Sequence, residues 1–163
     1  MATTPPLIRP IRKTDNAAMA TVIRKVMTEF GAVGEGFSIM DAEVNNMYEA
    51  YSAGRAAYFI TEVDGLLSGG AGIGPLAGAE PDICELKKMY LLKEIRGMGL
   101  GKALLHKSLQ AAKELGYKRC YLETLSHMVQ ANKLYQAAGF EKIIGPLGNT
   151  GHHRCETFFI KQL

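Results

Sequence analysis

Apolar positions recur along the chain at two distinct spacings. Leu7, Ile8 and Ile11 open with a short strand, and Met19, Val22, Ile23, Val26 and Met27 follow at intervals of three and four residues, the stripe of an amphipathic helix. Asp15 stands where such a helix takes its N-cap. A Gly-rich stretch from Phe30 to Phe37 ends it. Met40, Val44, Met47 and Tyr51 then predict a second helix, starting near Ser38 with Asp41 and Glu43 in its first turns and stopping at Gly54. From Ala57 the spacing changes to that of strands. Ala57 to Val63 and Leu66 to Ile73 flank Asp64-Gly65, a hairpin turn, and Ile83 to Leu92 is the strongest strand signal. A helix follows with Leu100, Leu104, Ala111 and Leu115 on one face, closed by Gly116. Cys120 to Leu125 reads as a strand, Met128 to Ala138 as a helix stopped by Gly139, and Ile143-Ile144 and Thr157 to Ile160 as two last strands. The order is α/β (α+β), with hairpins at both ends and therefore a mixed rather than purely parallel sheet. No repeat, linker or low-complexity tract interrupts it, so residues 1–163 read as one domain.

Composition narrows the class. The 163 residues are 47% hydrophobic and 21% charged, which suits an ordinary soluble globule. No apolar run reaches the roughly 18 residues of a membrane span, and Met1 to Pro6 lacks the pattern of a secretory leader. Cys84, Cys120 and Cys155 are odd in number and widely spaced, which argues against a disulfide framework or a zinc site and for a reducing cytoplasm. The net charge of +3 is mild and dispersed, so no nucleic-acid interface is expected.

The candidate chemistry lies between Leu91 and Ala103, where a strand passes into a helix through Arg96-Gly97-Met98-Gly99-Leu100-Gly101. Glycines let the backbone approach a ligand and take positive φ. The helix start beyond them offers unpaired N–H groups and the positive end of a dipole, worth roughly 0.3–1 kcal/mol per anionic charge. Lys88, Lys93, Arg96 and Lys102 add positive charge nearby. Pyrophosphate binding is one reading of this loop; tight strand–helix packing is the other. Its spacing, Arg-x-x-Gly-x-Gly, is neither a P-loop nor a dinucleotide fingerprint.

Arg96-x-x-Gly99-x-Gly101 resembles the pyrophosphate signature of the GNAT (GCN5-related) N-acetyltransferase superfamily. Glu85 to Leu91 is similar to that family's fourth strand, Asn132-Lys133-Leu134-Tyr135 with Gly139-Phe140 to its later Asn…Tyr…Gly-Phe block, and Ile8-Arg9-Pro10 with Asp15 to its first strand and helix. The likeness runs over essentially the whole chain. It implies a mixed, mostly antiparallel central sheet of six to seven strands flanked by about four helices, with splayed fourth and fifth strands. It further implies that the cosubstrate is acetyl-CoA, held by the backbone of Met89, Tyr90 and Leu91 along its pantetheine arm and by Arg96, Gly97, Met98, Gly99, Leu100, Gly101 and Lys102 at its pyrophosphate, with Asn132 binding or orienting it.

The same resemblance makes Glu85 the general base that frees an acceptor amine of its proton, and Tyr135 the acid that protonates the departing thiolate. The chemistry asks for both. An alkylamine of pKa near 10.4 is almost wholly protonated at neutral pH, and a phenol of pKa about 10 keeps a proton to donate. Competing readings are a solvent-facing Glu85 paired with Lys87 or Lys88, and a Tyr135 that only packs on the sheet. Direct transfer requires no nucleophilic thiol, so the three cysteines read as buried apolar residues. His152-His153-x-Cys155 has no second ligand pair, and no metal is expected. The acceptor walls fall to residues 30–40 and 145–154, with Glu35 facing an ammonium or Arg154 a carboxylate as candidates, and solvated surface charge as the alternative for each. His106 reads as a surface helix residue and His127 as a loop residue. The expected activity is transfer of an acetyl group to a primary amine, of a small molecule such as an amino acid or polyamine. Protein acetylation and a non-catalytic CoA-binding role are the alternatives, and an exposed strand edge leaves room for a homodimer.

Overall fold

The computed structural model describes residues 4–163, so the first three positions of the Met1–Pro6 stretch lie outside the described residues. Seven strands form one sheet in the order β1-β2-β3-β4-β5-β7-β6: β1 is Leu7–Pro10, β2 Ala57–Val63, β3 Leu66–Pro75, β4 Ile83–Leu91, β5 Arg119–Thr124, β6 Glu141–Ile143 and β7 Thr157–Gln162. Every neighbouring pair is antiparallel except β4 and β5. Four α-helices flank it: α1 (Asn16–Glu29), α2 (Met47–Tyr51), α3 (Leu100–Glu114) and α4 (Val129–Ala137). This is the architecture the resemblance implies.

The helices divide between the faces. The stripe of α1 packs with Val44, Met47, Tyr51, Tyr58 and Ile60 on one side. On the other, Leu105 and Leu109 of α3 and Tyr135 of α4 meet Ile73, Cys84, Leu86, Leu122 and Phe159. Met19 and Ile23 are fully buried, and such a side chain contributes about 1.5–3 kcal/mol by leaving water. No helix among the described residues is long and apolar enough to cross a membrane.

Two local expectations change. Residues 38–51 are not one helix: 3-10 turns at Ser38–Met40 and Ala42–Asn45 precede the short α2. Val44, Met47 and Tyr51 still reach the core, while Met40 is 64% exposed. The break has a cause, because the carboxylate of Asp41 is drawn to Lys88 and His152 and Asn46 (φ −137°, ψ 47°) leaves the helical region. Asp15 likewise does not cap α1. Its carboxylate accepts two hydrogen bonds from Arg9 at 2.8 and 2.9 Å and one from the Arg12 N–H at 2.7 Å, so it closes the 3-10 turn ahead of the helix. The β6 strand starts earlier than Ile143-Ile144 suggests, and Ile144 itself is fully exposed.

The feature that positions the site is a bulge in β4. Pairing with β3 slips between Gly70 and Gly72, and Lys88 takes φ 52°. An extra residue in one strand flips the facing of all that follow. Hence Tyr90 and Leu92 join the α1 face, while Met89 and Leu91 pack towards α3. The bulge is fastened by Tyr58, whose hydroxyl donates to the Lys88 carbonyl at 2.6 Å. Tyr58 reaches it because β3 is glycine at the crossing: a Cβ on Gly70 would stand 2.7 Å from its ring.

Candidate active site

β4 and β5 are paired only at their beginnings, Ile83 with Arg119, Cys84 with Cys120 and Glu85 with Tyr121. Beyond Glu85 the strands diverge. Backbone polar groups facing the gap then lack a strand partner, a state that buried or half-buried amides do not tolerate without a ligand or water. The gap is a cleft lined by β4 from Glu85 to Tyr90, by Leu122 to Thr124 of β5 and Leu125 just beyond it, and by Tyr135, His152 and Cys155, with Met27, Phe30, Ala32 and Phe37 closing the α1 side.

At one end of the divergence lies the glycine loop. Gly97 (φ 81°) and Gly99 (φ 78°) both hold left-handed conformations, and a Cβ on either would meet open space. Conformation, not crowding, requires glycine at both. Gly101 differs: its Cβ would lie 3.2 Å from Leu91 and 3.3 Å from Leu134, so it serves the close seating of α3. Ala103 N–H bonds the Gly99 carbonyl, and the N–H groups of Leu100, Gly101 and Lys102 precede any intrahelical acceptor. Met98 and Lys102 are exposed beside them, and Leu100 is buried. Arg96 braces this loop through its guanidinium, which donates to Glu29 at 2.6 and 2.8 Å and to the Leu91 carbonyl at 2.9 and 3.1 Å. Lys88 does not add charge here, contrary to expectation. The bulge turns its ammonium to the opposite face, where it is 1% exposed and pairs with Asp41 at 2.6 Å and Glu43 at 3.3 Å.

Glu85 sits at the apex, on the last paired residue. It is 6% exposed, and burial pushes its carboxyl up to about 7. Its carboxylate makes no hydrogen bond or ion pair among the described residues, so the solvent-facing reading and the Lys87 or Lys88 pairing both fall; Lys87 pairs with Glu43 instead. Tyr135 lines the same cleft from α4, its ring flanked by Phe140 and Phe159, and burial raises its phenol well above the usual range. Asn132, one turn earlier, donates to the carbonyls of Leu125 at 3.1 Å and Ser126 at 3.4 Å, which leaves its Oδ1 buried with no partner among the described residues.

Other residues gather where the sequence offers little signal. Both ring nitrogens of His152 face carboxylates: Nε2 lies 2.8 Å from Asp41, and Nδ1 lies 3.6 Å from Glu123. Burial lowers its pKa, but these partners outweigh that and raise it to about 9. Glu123 is held below its ordinary value despite burial, by His152, Thr150 and Tyr121. The Tyr121 hydroxyl donates to it at 2.6 Å. Asp41 and His152 are separated by 111 positions, and no local pattern joins them. The one clue to Glu123 is a lone carboxylate inside the strand, following Cys120, Tyr121 and Leu122. Cys155, expected to be buried, is half-buried and lines the cleft; burial pushes its thiol up to about 12, so it stays protonated. Glu35 is exposed, and Arg154 stacks on the Phe37 ring at 4.8 Å. His106 is exposed as expected, and His127, also exposed, bonds the Phe30 carbonyl at 2.8 Å.

The model of the Acetyltransferase (GNAT) family matches residues 23–140, from within α1 through the diverging strands and glycine loop to Phe140, three residues past α4. The chain belongs to the GNAT family. It is an N-acetyltransferase of the GNAT type, and the comparisons with individual proteins agree. It is 44% identical over 159 residues to the N-acetyltransferase YjgM of Escherichia coli K12, covering 97% of this chain and 95% of that protein. Among solved structures, a GNAT acetyltransferase of Staphylococcus aureus Mu50 superposes with a TM-score of 0.80 at 19% identity, over 98% of this chain and 99% of the other. Salmonella typhimurium yncA, solved with acetyl-CoA, superposes with a TM-score of 0.79 at 21% identity, over 98% and 95%. At such identities the structural likeness speaks for the fold.

Proposed function

We propose that this GNAT protein, acting as a single domain over residues 1–163, uses acetyl-CoA to acetylate a primary amine on a small molecule. The observation that carries this is the β5-facing edge of β4 beyond Glu85, which has no strand partner and leads to a helix N-terminus with three N–H groups that precede any intrahelical acceptor. That arrangement offers amides to a pantetheine arm at Met89, Tyr90 and Leu91, and offers a pyrophosphate the backbone of Gly97 to Lys102. The acetyl-CoA named in the yncA structure supports the choice of ligand. The buried Oδ1 of Asn132 is an acceptor waiting for a donor such as a pantetheine amide. Arg96 contributes by holding the loop in shape.

The bonds then change as follows. Glu85 takes a proton from the acceptor ammonium, directly or through one water. With the carboxyl near 7 and the amine near 10.4, that transfer is uphill by about 5 kcal/mol, which a bound, desolvated amine reduces. The amine lone pair forms the C–N bond at the thioester carbonyl, the C–S bond breaks, and its electron pair leaves on sulfur. The Tyr135 phenol gives that sulfur its proton, and the second proton that the attacking nitrogen sheds as the amide forms restores the phenolate to phenol, leaving an amide and coenzyme A. The Cys155 thiol is too weakly acidic to compete as a nucleophile. The deciding test is free-thiol release from acetyl-CoA against amines, polyamines, amino acids and lysine peptides. Turnover confined to small amines is expected; turnover confined to peptides, or none beside tight CoA binding, refutes this reading.

A further inference from the structure

Glu85 shares the apex of the cleft with a second carboxylate. One oxygen of Glu85, one of Glu123 and one nitrogen of His152 all lie within 4.8 Å of one another. Glu85 is more than nine-tenths buried, lines the cleft and has no hydrogen-bond partner among the described residues, so this is a polar group built to receive something. Glu123 is fixed from behind. Tyr121 donates to one of its oxygens, and the Thr150 hydroxyl and His152 address the other.

The occupant follows from charge. A neutral imidazole has one donor and one acceptor nitrogen, whereas here both nitrogens face carboxylates, Asp41 on one side and Glu123 on the other. That geometry suits the doubly protonated imidazolium. An imidazolium has no lone pair to give a metal ion, so the trio is a poor cation site despite its composition. An ammonium group needs no such lone pair. It carries three donors and can give one to each of two carboxylates.

We propose that Glu85 and Glu123 together seat the acceptor's ammonium, and that the acceptor is an alkyl- or aralkylamine without a carboxylate on its amine-bearing carbon. This deepens the proposed function and rests on it. An α-carboxylate would lie two bonds from the seated nitrogen, facing two acidic groups, and the surrounding cations are already engaged. Lys88 pairs with Asp41 and Glu43, Lys87 with Glu43, and His152 with Asp41 and Glu123. Arg154 stacks on Phe37. The walls beyond are apolar, from Met27, Phe30, Ala32, Phe37 and Met128, and favour a hydrocarbon stem. His152 is a positioning residue that keeps Glu123 aimed.

Matched pairs test this by calorimetry on the CoA-saturated protein: phenethylamine against phenylalanine, and butylamine against norvaline. Both amines bind, each at least tenfold tighter than its α-carboxylated counterpart. Glu123→Gln weakens both amines at least tenfold and leaves CoA affinity within twofold, and Glu123→Asp recovers part of the loss. Amine affinity unchanged in Glu123→Gln, amino acids bound as well as amines, no binding of any of the four, or zinc uptake abolished by Glu123→Gln would each overturn the proposal. A wild-type protein that fails to bind CoA at all instead defeats the underlying acetyltransferase reading.

Discussion

Replacing Glu85 by Gln removes the proposed base, and the structure predicts that it also stabilises the protein in a pH-dependent way. Burial raises this carboxyl from 4.5 to about 7 on folding. Between those values the folded state holds a proton that the unfolded chain has released. Stability therefore falls as pH climbs through that window, and above 7 the full cost of a buried, unpartnered carboxylate is present. From pH 5 to pH 8 the cost grows by about 2.5 kcal/mol, taking 1.36 kcal/mol per pKa unit. Gln carries no titrating proton. Relative to the parent it should thus gain about that much over the same pH range, equivalent to roughly 5–10 °C in melting temperature for a chain of this size. Any constant penalty for burying the Gln amide cancels in the difference between the two pH values. The assay is thermal unfolding of both proteins at pH 5 and pH 8, alongside acetyl-CoA turnover, where Glu85→Gln should lose about 100-fold or more with the deficit narrowing at high pH. An equal melting difference at the two pH values would refute the burial argument, and a rate profile parallel to the parent's would refute the base.

Three further substitutions probe other parts of the site. Tyr135→Phe keeps the ring between Phe140 and Phe159 and should cut turnover by about 100-fold, the usual reach of a general acid, with acetyl-CoA affinity nearly unchanged in a direct titration. His152→Asn should flatten the pH dependence of stability above neutrality. A histidine raised from 6.5 to about 9 stabilises fully below 6.5 and loses that contribution as pH rises through 9, up to about 3 kcal/mol for a nearly buried ring. Denaturant melts at pH 6 and 9.5 read it. Gly99→Ala forces a side chain into φ 78° and should cost roughly 1 kcal/mol of stability while weakening acetyl-CoA binding, measurable by denaturant titration and calorimetry.

The parts of this site legible in the sequence are those built from neighbouring residues. Gly97 and Gly99 declare a left-handed loop because no other residue accepts that φ cheaply, and Leu100, Leu104 and Ala111 declare the helix that follows. Tyr135 and Asn132 sit within one turn of each other, so a local spacing suffices to pair them. The β4 bulge left a trace in Lys87-Lys88, two adjacent lysines where alternation demands one polar and one apolar residue. A strand reading smooths that over, and with it the change of face that buries Lys88 and aims Tyr90 at Ser38, 3.0 Å away. Asp41, Glu123 and His152 were not legible as a group. They come from three elements that only the folded sheet brings together, and the pull of Asp41 towards Lys88 and His152 is also what breaks the helix expected over residues 38–51.

Amide hydrogen exchange with and without acetyl-CoA measures most directly where the cosubstrate lies. Protection should concentrate at the end of β4 that has no partner on its β5 side, around residues 89–91, and at the glycine loop and first turn of α3, residues 97–102, with little change in β1 or β6. Binding that leaves both of those segments exchanging as in the free protein would contradict that placement.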